Sequence, residues 1–120
     1  MADNEKRWEI FVDEIIKEGI IWTLYKDEMY ATSNNRYGTK CFPLWSSKDK
    51  VLKQIKNVPA YEGYTPIGFY WEDFLKDWVP TLKQNKCLLG INYARKENIG
   101  FDLPIDEVIF AISRGTGILK

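Results

Sequence analysis

The chain is 120 residues long, 45% hydrophobic and 28% charged, with 17 basic side chains balancing 17 acidic ones. That length suits one domain burying roughly two thirds of its unfolded surface, and the composition excludes a disordered or fibrous chain. Zero net charge leaves no field to draw a polyanion or an anionic membrane, and no apolar run approaches a bilayer span.

Trp8, Phe11, Val12, Ile15 and Ile16 recur at helical spacing, which predicts a first helix from about Asp3 or Asn4 to Glu18. Gly19 sits where a helix-terminating glycine belongs. Ile20 to Tyr25 switches to period two, with Ile20, Trp22 and Leu24 on one face and Ile21, Thr23 and Tyr25 on the other. Lys26-Asp27-Glu28 reads as a tight reversal into a weaker strand from Met29 to Ser33. The polar stretch Asn34–Gly38 returns the chain into a third strand, Lys40–Trp45, completing an antiparallel meander. Pro43 cannot donate to a ladder, so this strand is expected to meet a sheet edge or a bend there.

The strand runs straight into Ser46-Ser47-Lys48-Asp49, and either serine can cap a helix. Ser46 and Asp49 have capping-box spacing. The helix should span about Ser47 to Asn57 with Val51, Leu52, Ile55 and Val58 inward. Pro59 and Gly63 make Val58–Tyr64 a loop, and Thr65–Tyr70 is a fourth strand. From Trp71 to about Asn85 a broad stripe of Phe74, Leu75, Trp78, Val79 and Leu82 predicts a helix that Pro80 either bends near Lys76–Val79 or finishes as a loose turn. Cys87–Tyr93 reads as a central strand, Arg95–Gly100 as a turn, and Phe101–Leu103 as a short edge strand. Pro104 stands at the first position of a last helix with Ile105, Val108, Ile109 and Ile112 inward, ended by Gly115 and Gly117.

This order predicts an α+β domain over residues 1–120: one mostly antiparallel sheet of about five strands, with four helices largely on one face. Five tryptophans predict a core built of large rings. Cys41 and Cys87 each open an apolar run and read as buried free thiols in a reducing compartment. The first residues lack a signal-peptide core, so the expected setting is the cytoplasm.

The ordered set Ile21-Trp22-Thr23-Leu24, Phe42-Pro43-Leu44-Trp45-Ser46-Ser47, Gly63-Tyr64, Phe74–Leu82 and Leu89-Gly90-Ile91-Asn92 resembles a family of small bacterial proteins described only as a domain of unknown function. Its members show a W-x-L strand, a P-x-W-S-S junction and an F-L-x-x-W-L-P helix. Here Val79 stands where leucine is usual, the first turn lacks glycine, and the helix after Ser47 is rich in lysine. The resemblance runs from about Trp8 to Ile112 and implies a fold and a bacterial cytoplasmic setting, with no activity attached.

Histidine is absent, which removes the Ser-His and Cys-His pairs and the commonest zinc ligand. No glycine-rich phosphate loop is present, and neither a cofactor nor a metal is expected. Asp73 and Asp77 lie one turn apart, with Glu62 and Glu72 near in sequence; they could serve acid–base chemistry or a metal, or form an ordinary solvated helix face. Lys48, Lys50, Lys53 and Lys56, with Arg36 and Lys40 before them, could touch an anion or simply be wet. Tyr61 and Tyr64 flank Glu62-Gly63 among Pro59 and Pro66, where regular structure is unfavourable, so they are candidates for a recognition surface.

The resulting expectation is a non-enzymatic protein-binding module. Its form could be immunity- or antitoxin-like, with Tyr61, Glu62, Tyr64, Glu72 and Asp73 as the contact residues. The expected partner is another protein, not a nucleic acid or a membrane. The alternative is a small enzyme or small-molecule binder using the carboxylates Glu62, Glu72, Asp73 and Asp77.

Overall fold

The computed structural model describes residues 2–35, 37–94 and 99–115. Helix α1 (Ala2–Glu18) buries Phe11 and Ile15, with Trp8, Val12 and Ile16 packed beside them. Gly19 closes it at φ 71°, a left-handed backbone that costs a glycine little, and its N–H returns to the Ile15 carbonyl at 2.7 Å. Strand β1 (Ile20–Lys26) then turns on Asp27 and Glu28, both at positive φ, into β2 (Met29–Tyr30).

The expected second strand over Met29–Ser33 and the three-stranded meander are corrected. After Ala31 bonds to Leu24, the next stretch of the β1 edge is taken by Trp45, which exchanges backbone hydrogen bonds with Trp22 at 2.9 and 2.8 Å. The chain therefore leaves β1 and forms β3 (Ser33–Asn34), which pairs with β4 (Lys40–Leu44) instead. Two ladders result. One runs β2-β1-β5, with β5 at Thr65–Tyr70; the other runs β3-β4-β6-β7, with β6 at Leu88–Ala94 and β7 at Ile99–Leu103. Among the described residues only β4 and β6 are parallel, and the class is α+β with mostly antiparallel pairing.

Pro43 lies within an internal strand, not at an edge. Its carbonyl faces β1, where it accepts from the fully buried Thr23 hydroxyl at 2.9 Å. The nitrogen and carbonyl of one strand residue point the same way, so the missing donor also faces β1 and spares the β6 ladder. The two ladders part where proline denies a bond, and a threonine side chain spans the gap.

Helix α2 (Lys48–Asn57) is capped by Ser47, whose hydroxyl accepts from the Lys50 N–H at 3.2 Å. The capping-box reading of Ser46 and Asp49 is thus corrected by one residue, because Ser46 is turned into the interior. The phase shifts with it: Gln54 is buried, and Leu52, expected inward, is exposed. Residues 59–61 form a 3-10 turn. The long third helix divides at Trp78 into α3 (Trp71–Asp77) and α4 (Val79–Gln84), with Pro80 in the first turn of α4, where its lost donor is harmless. Pro104 precedes α5 (Ile105–Gly115) rather than opening it, and its carbonyl accepts from Glu107 and Val108. Arg36, residues 95–98 of the expected turn, and Gly117 lie outside the described residues.

Buried side chains stand on both faces of β1. Ile21, Phe42, Leu44, Leu89 and Ile91 face the core under α1, α3, α4 and α5. Leu24 and Trp45 face a second core with Val51, Val58 and Tyr61. Trp78 joins the larger core as a hub of rings, with Tyr30 edge-on at 4.4 Å and Phe69 and Phe42 at 5.0 and 5.4 Å.

Candidate functional site

A bulge in β6 sets the polar chemistry. Its ladder to β7 runs Leu89↔Leu103, Gly90↔Asp102 and Ile91↔Phe101, then slips to Ala94↔Ile99. Asn92 sits in the slip at φ 43°, a left-handed backbone that asparagine tolerates better than most residues. The slip breaks strand alternation and lays the Tyr93 ring back over Gly90. A Cβ at residue 90 would lie 2.5 Å from Tyr93 Cζ, so a side chain there would push the tyrosine ring aside. From there the Tyr93 hydroxyl donates to Asp102, and its carbonyl accepts from Trp45 Nε1 at 3.0 Å.

Asn92 turns the other way, onto Ser46. The Ser46 N–H donates to Asn92 Oδ1 at 2.9 Å, and Asn92 Nδ2 donates to the Ser46 hydroxyl oxygen at 3.0 Å. That hydroxyl donates onward to Glu14 Oε1 at 2.5 Å, while Lys50 Nζ donates to both Glu14 oxygens at 2.9 and 3.1 Å. Burial raises the Glu14 carboxyl, but the bonds from Ser46 and Lys50 and the charges of Lys50 and Lys17 outweigh it, so the group sits below 4.5. The network pins α1 to the β4–α2 junction. Ser46 is fully buried with its proton committed, which makes it a poor nucleophile. Burial, followed by the charge and hydrogen bond of Asp102, pushes the Cys41 thiol up to about 11. Burial and Asp102 push the Tyr93 phenol up as well. Both stay neutral donors at physiological pH.

With α1 fixed, its outer face, β7 and α5 enclose an apolar groove of about 410 Å³. Trp8, Phe101, Leu103 and Phe110 form its walls, with Glu5 and Glu107 among its lining residues. Trp8 is held by stacking on Phe11 at 5.9 Å and by edge contact with Phe101 at 6.5 Å. Phe110 is 57% exposed and carries the Arg114 guanidinium at 5.3 Å. β7 is the terminal strand of its ladder, so the groove lies beside an edge.

The residues singled out from sequence are placed elsewhere. Tyr61 is only 8% exposed and meets Trp45 edge-on at 6.2 Å, so it is core. The 3-10 turn at Pro59–Tyr61 carries its ring inward, which the proline and glycine content of the loop does not reveal. Tyr64 is half-buried against Tyr61 at 6.0 Å, with Lys26 Nζ 5.6 Å from its ring centre. Glu62, Glu72, Asp73 and Asp77 are all exposed, and none lines the groove. Among the described residues no cluster of three or more His, Cys, Asp or Glu side chains could hold a metal. No helix among them is long and apolar enough to cross a membrane. Phe110 was legible as an outlier: a large ring off the Ile105, Val108, Ile109, Ile112 stripe has no core to enter.

Residues 8–112 match a family model described as a protein of unknown function (DUF2750). No curated protein matches the chain.

Proposed function

The chain belongs to the DUF2750 family, whose description names no activity, and from the geometry we propose a non-enzymatic protein-binding module. The groove between α1, β7 and α5 seats a segment of another protein that carries apolar anchors flanked by lysine or arginine. The observation that carries this reading is the pairing of an aromatic trough with acidic lining: Trp8, Phe101 and Phe110 offer the anchor pocket, and Glu5 and Glu107 face cations. The exposed Phe110 ring adds apolar area to the same trough. The committed Ser46 proton and the neutral Cys41 thiol support a binding role over a catalytic one. The two free, buried cysteines suit a reducing bacterial cytoplasm. In the immunity- or antitoxin-like form of this reading the partner is a toxin.

Two synthetic peptides test it, one with leucine and phenylalanine anchors among lysines, the other with glutamates in place of the lysines. The Trp8 indole N–H resonance reports occupancy. The basic peptide should shift it, the acidic one should not, and Phe110→Ser should weaken binding by about tenfold. Equal response to both peptides, or to neither, sinks the proposal. A concentration-dependent dimer lost in Phe110→Ser would put a second copy in the groove instead.

A further inference from the structure

On another side of α1, a separate cleft of about 220 Å³ opens between that helix, α2 and the end of β6. Arg7, Lys50 and Lys53 converge on it, and its described lining contains no carboxylate. Lys50 is committed to Glu14 just beyond the cleft. Arg7 and Lys53 make no ion pair among the described residues, so in a chain with zero net charge the cleft holds a local excess of two cations. Asn92 is among its lining residues, with one Nδ2 hydrogen given to Ser46 and the second taken by no partner among the described residues. Trp45, Tyr93 and Ala94 also line it.

We propose that this cleft binds a small molecule carrying a phosphate group, either free phosphate or a low-molecular-weight phosphate ester. Two cations without an ion pair among the described residues match the double charge of a phosphate better than the single charge of a carboxylate. The guanidinium of Arg7 supplies a planar fork suited to two phosphate oxygens, and Lys53 acts as a point charge beside it. The volume falls below the roughly 300–1,000 Å³ of sites for drug-sized ligands, so the ligand is small. The site is preorganised, because the Glu14–Ser46–Asn92 network that fixes α1 also fixes two of its walls. This inference is independent of the groove.

The test titrates the full chain with inorganic phosphate and with phenyl phosphate, followed by calorimetry and by the side-chain amide resonances of Asn92. At least one should bind with a dissociation constant below about 10 mM. Arg7→Ala with Lys53→Ala should weaken it by about tenfold or more, and Phe110→Ser should leave it unchanged. Tighter binding of the ester identifies an ester as ligand; tighter binding of phosphate identifies the free ion. Should the double variant fail to fold, Lys53→Gln alone, on an exposed helix position, must still weaken binding. The proposal is overturned if neither probe binds, if the charge-removed variants bind as the parent does, or if chloride produces the same shifts.

Discussion

Asn92 and Ser46, 46 residues apart, exchange two hydrogen bonds in the interior, the serine N–H to the amide oxygen and the amide N–H to the serine hydroxyl. Replacing Asn92 by alanine orphans the buried Ser46 N–H, leaves the Ser46 hydroxyl only its bond to Glu14, and puts a residue without local side-chain bonding at φ 43°. The expected loss is about 2–4 kcal/mol, from a buried unpaired donor plus left-handed strain. Asn92→Gly should recover about 1 kcal/mol of that, because it relieves only the backbone. Chemical denaturation measures both, and an unchanged midpoint in Asn92→Ala would show that the pair contributes nothing.

Glu14 gives the protein an acid-sensitive joint. Its folded carboxyl is held below 4.5, so its contribution is present above that pH and is lost as pH falls through the lower, folded value. Glu14→Gln should therefore flatten the acid limb of a melting-temperature profile below 4.5 while lowering the plateau above it. Parallel profiles for the two proteins would contradict the assignment.

Cys41 acts at the other end of the scale. With the folded thiol pushed from 9.0 to about 11, its contribution is complete below pH 9 and is lost as pH rises toward 11, since the unfolded thiol ionises first. Cys41→Ala should remove part of that alkaline loss. Both Cys41 and Cys87 should react slowly with a polar thiol reagent in the native state, because both are buried. Rapid labelling of Cys41 before unfolding would refute the burial argument.

The β1–β2 hairpin stores avoidable strain. Asp27 and Glu28 hold φ of 51° and 64° between the paired Lys26 and Met29, positions that two-residue hairpins normally fill with asparagine and glycine. Asp27→Asn with Glu28→Gly should stabilise the protein by about 1–2 kcal/mol, read as a higher denaturation midpoint. A lower midpoint would mean that these two side chains make contacts worth more than the strain.

Tyr61 and Phe110 should respond oppositely to the same change. Tyr61→Ser empties space beside Trp45 and should cost about 3 kcal/mol, whereas Phe110→Ser, at a largely exposed ring, should stay within about 0.5 kcal/mol. A Tyr61→Ser variant that melts with the parent would restore that ring to the surface.

Local physics made much of this chain readable. The spacing of Phe11 and Ile15, the glycine at 19, the division enforced by Pro80 and the α+β order all act over a few residues, and each appears in the structure as the sequence implies. The rest depends on partners distant in sequence. Met29–Asn34 splits between two ladders because Trp45 claims the edge of β1, and no property of those six residues encodes that competition. Which serine caps α2 was settled by Asn92, from another strand. Tyr61 is buried because Trp45 offers its ring a surface, and the groove exists because Trp8 and Phe110, a hundred residues apart, flank the same edge strand. Periodicity reports which face of an element is apolar. Only the folded chain decides what covers that face and what is left open.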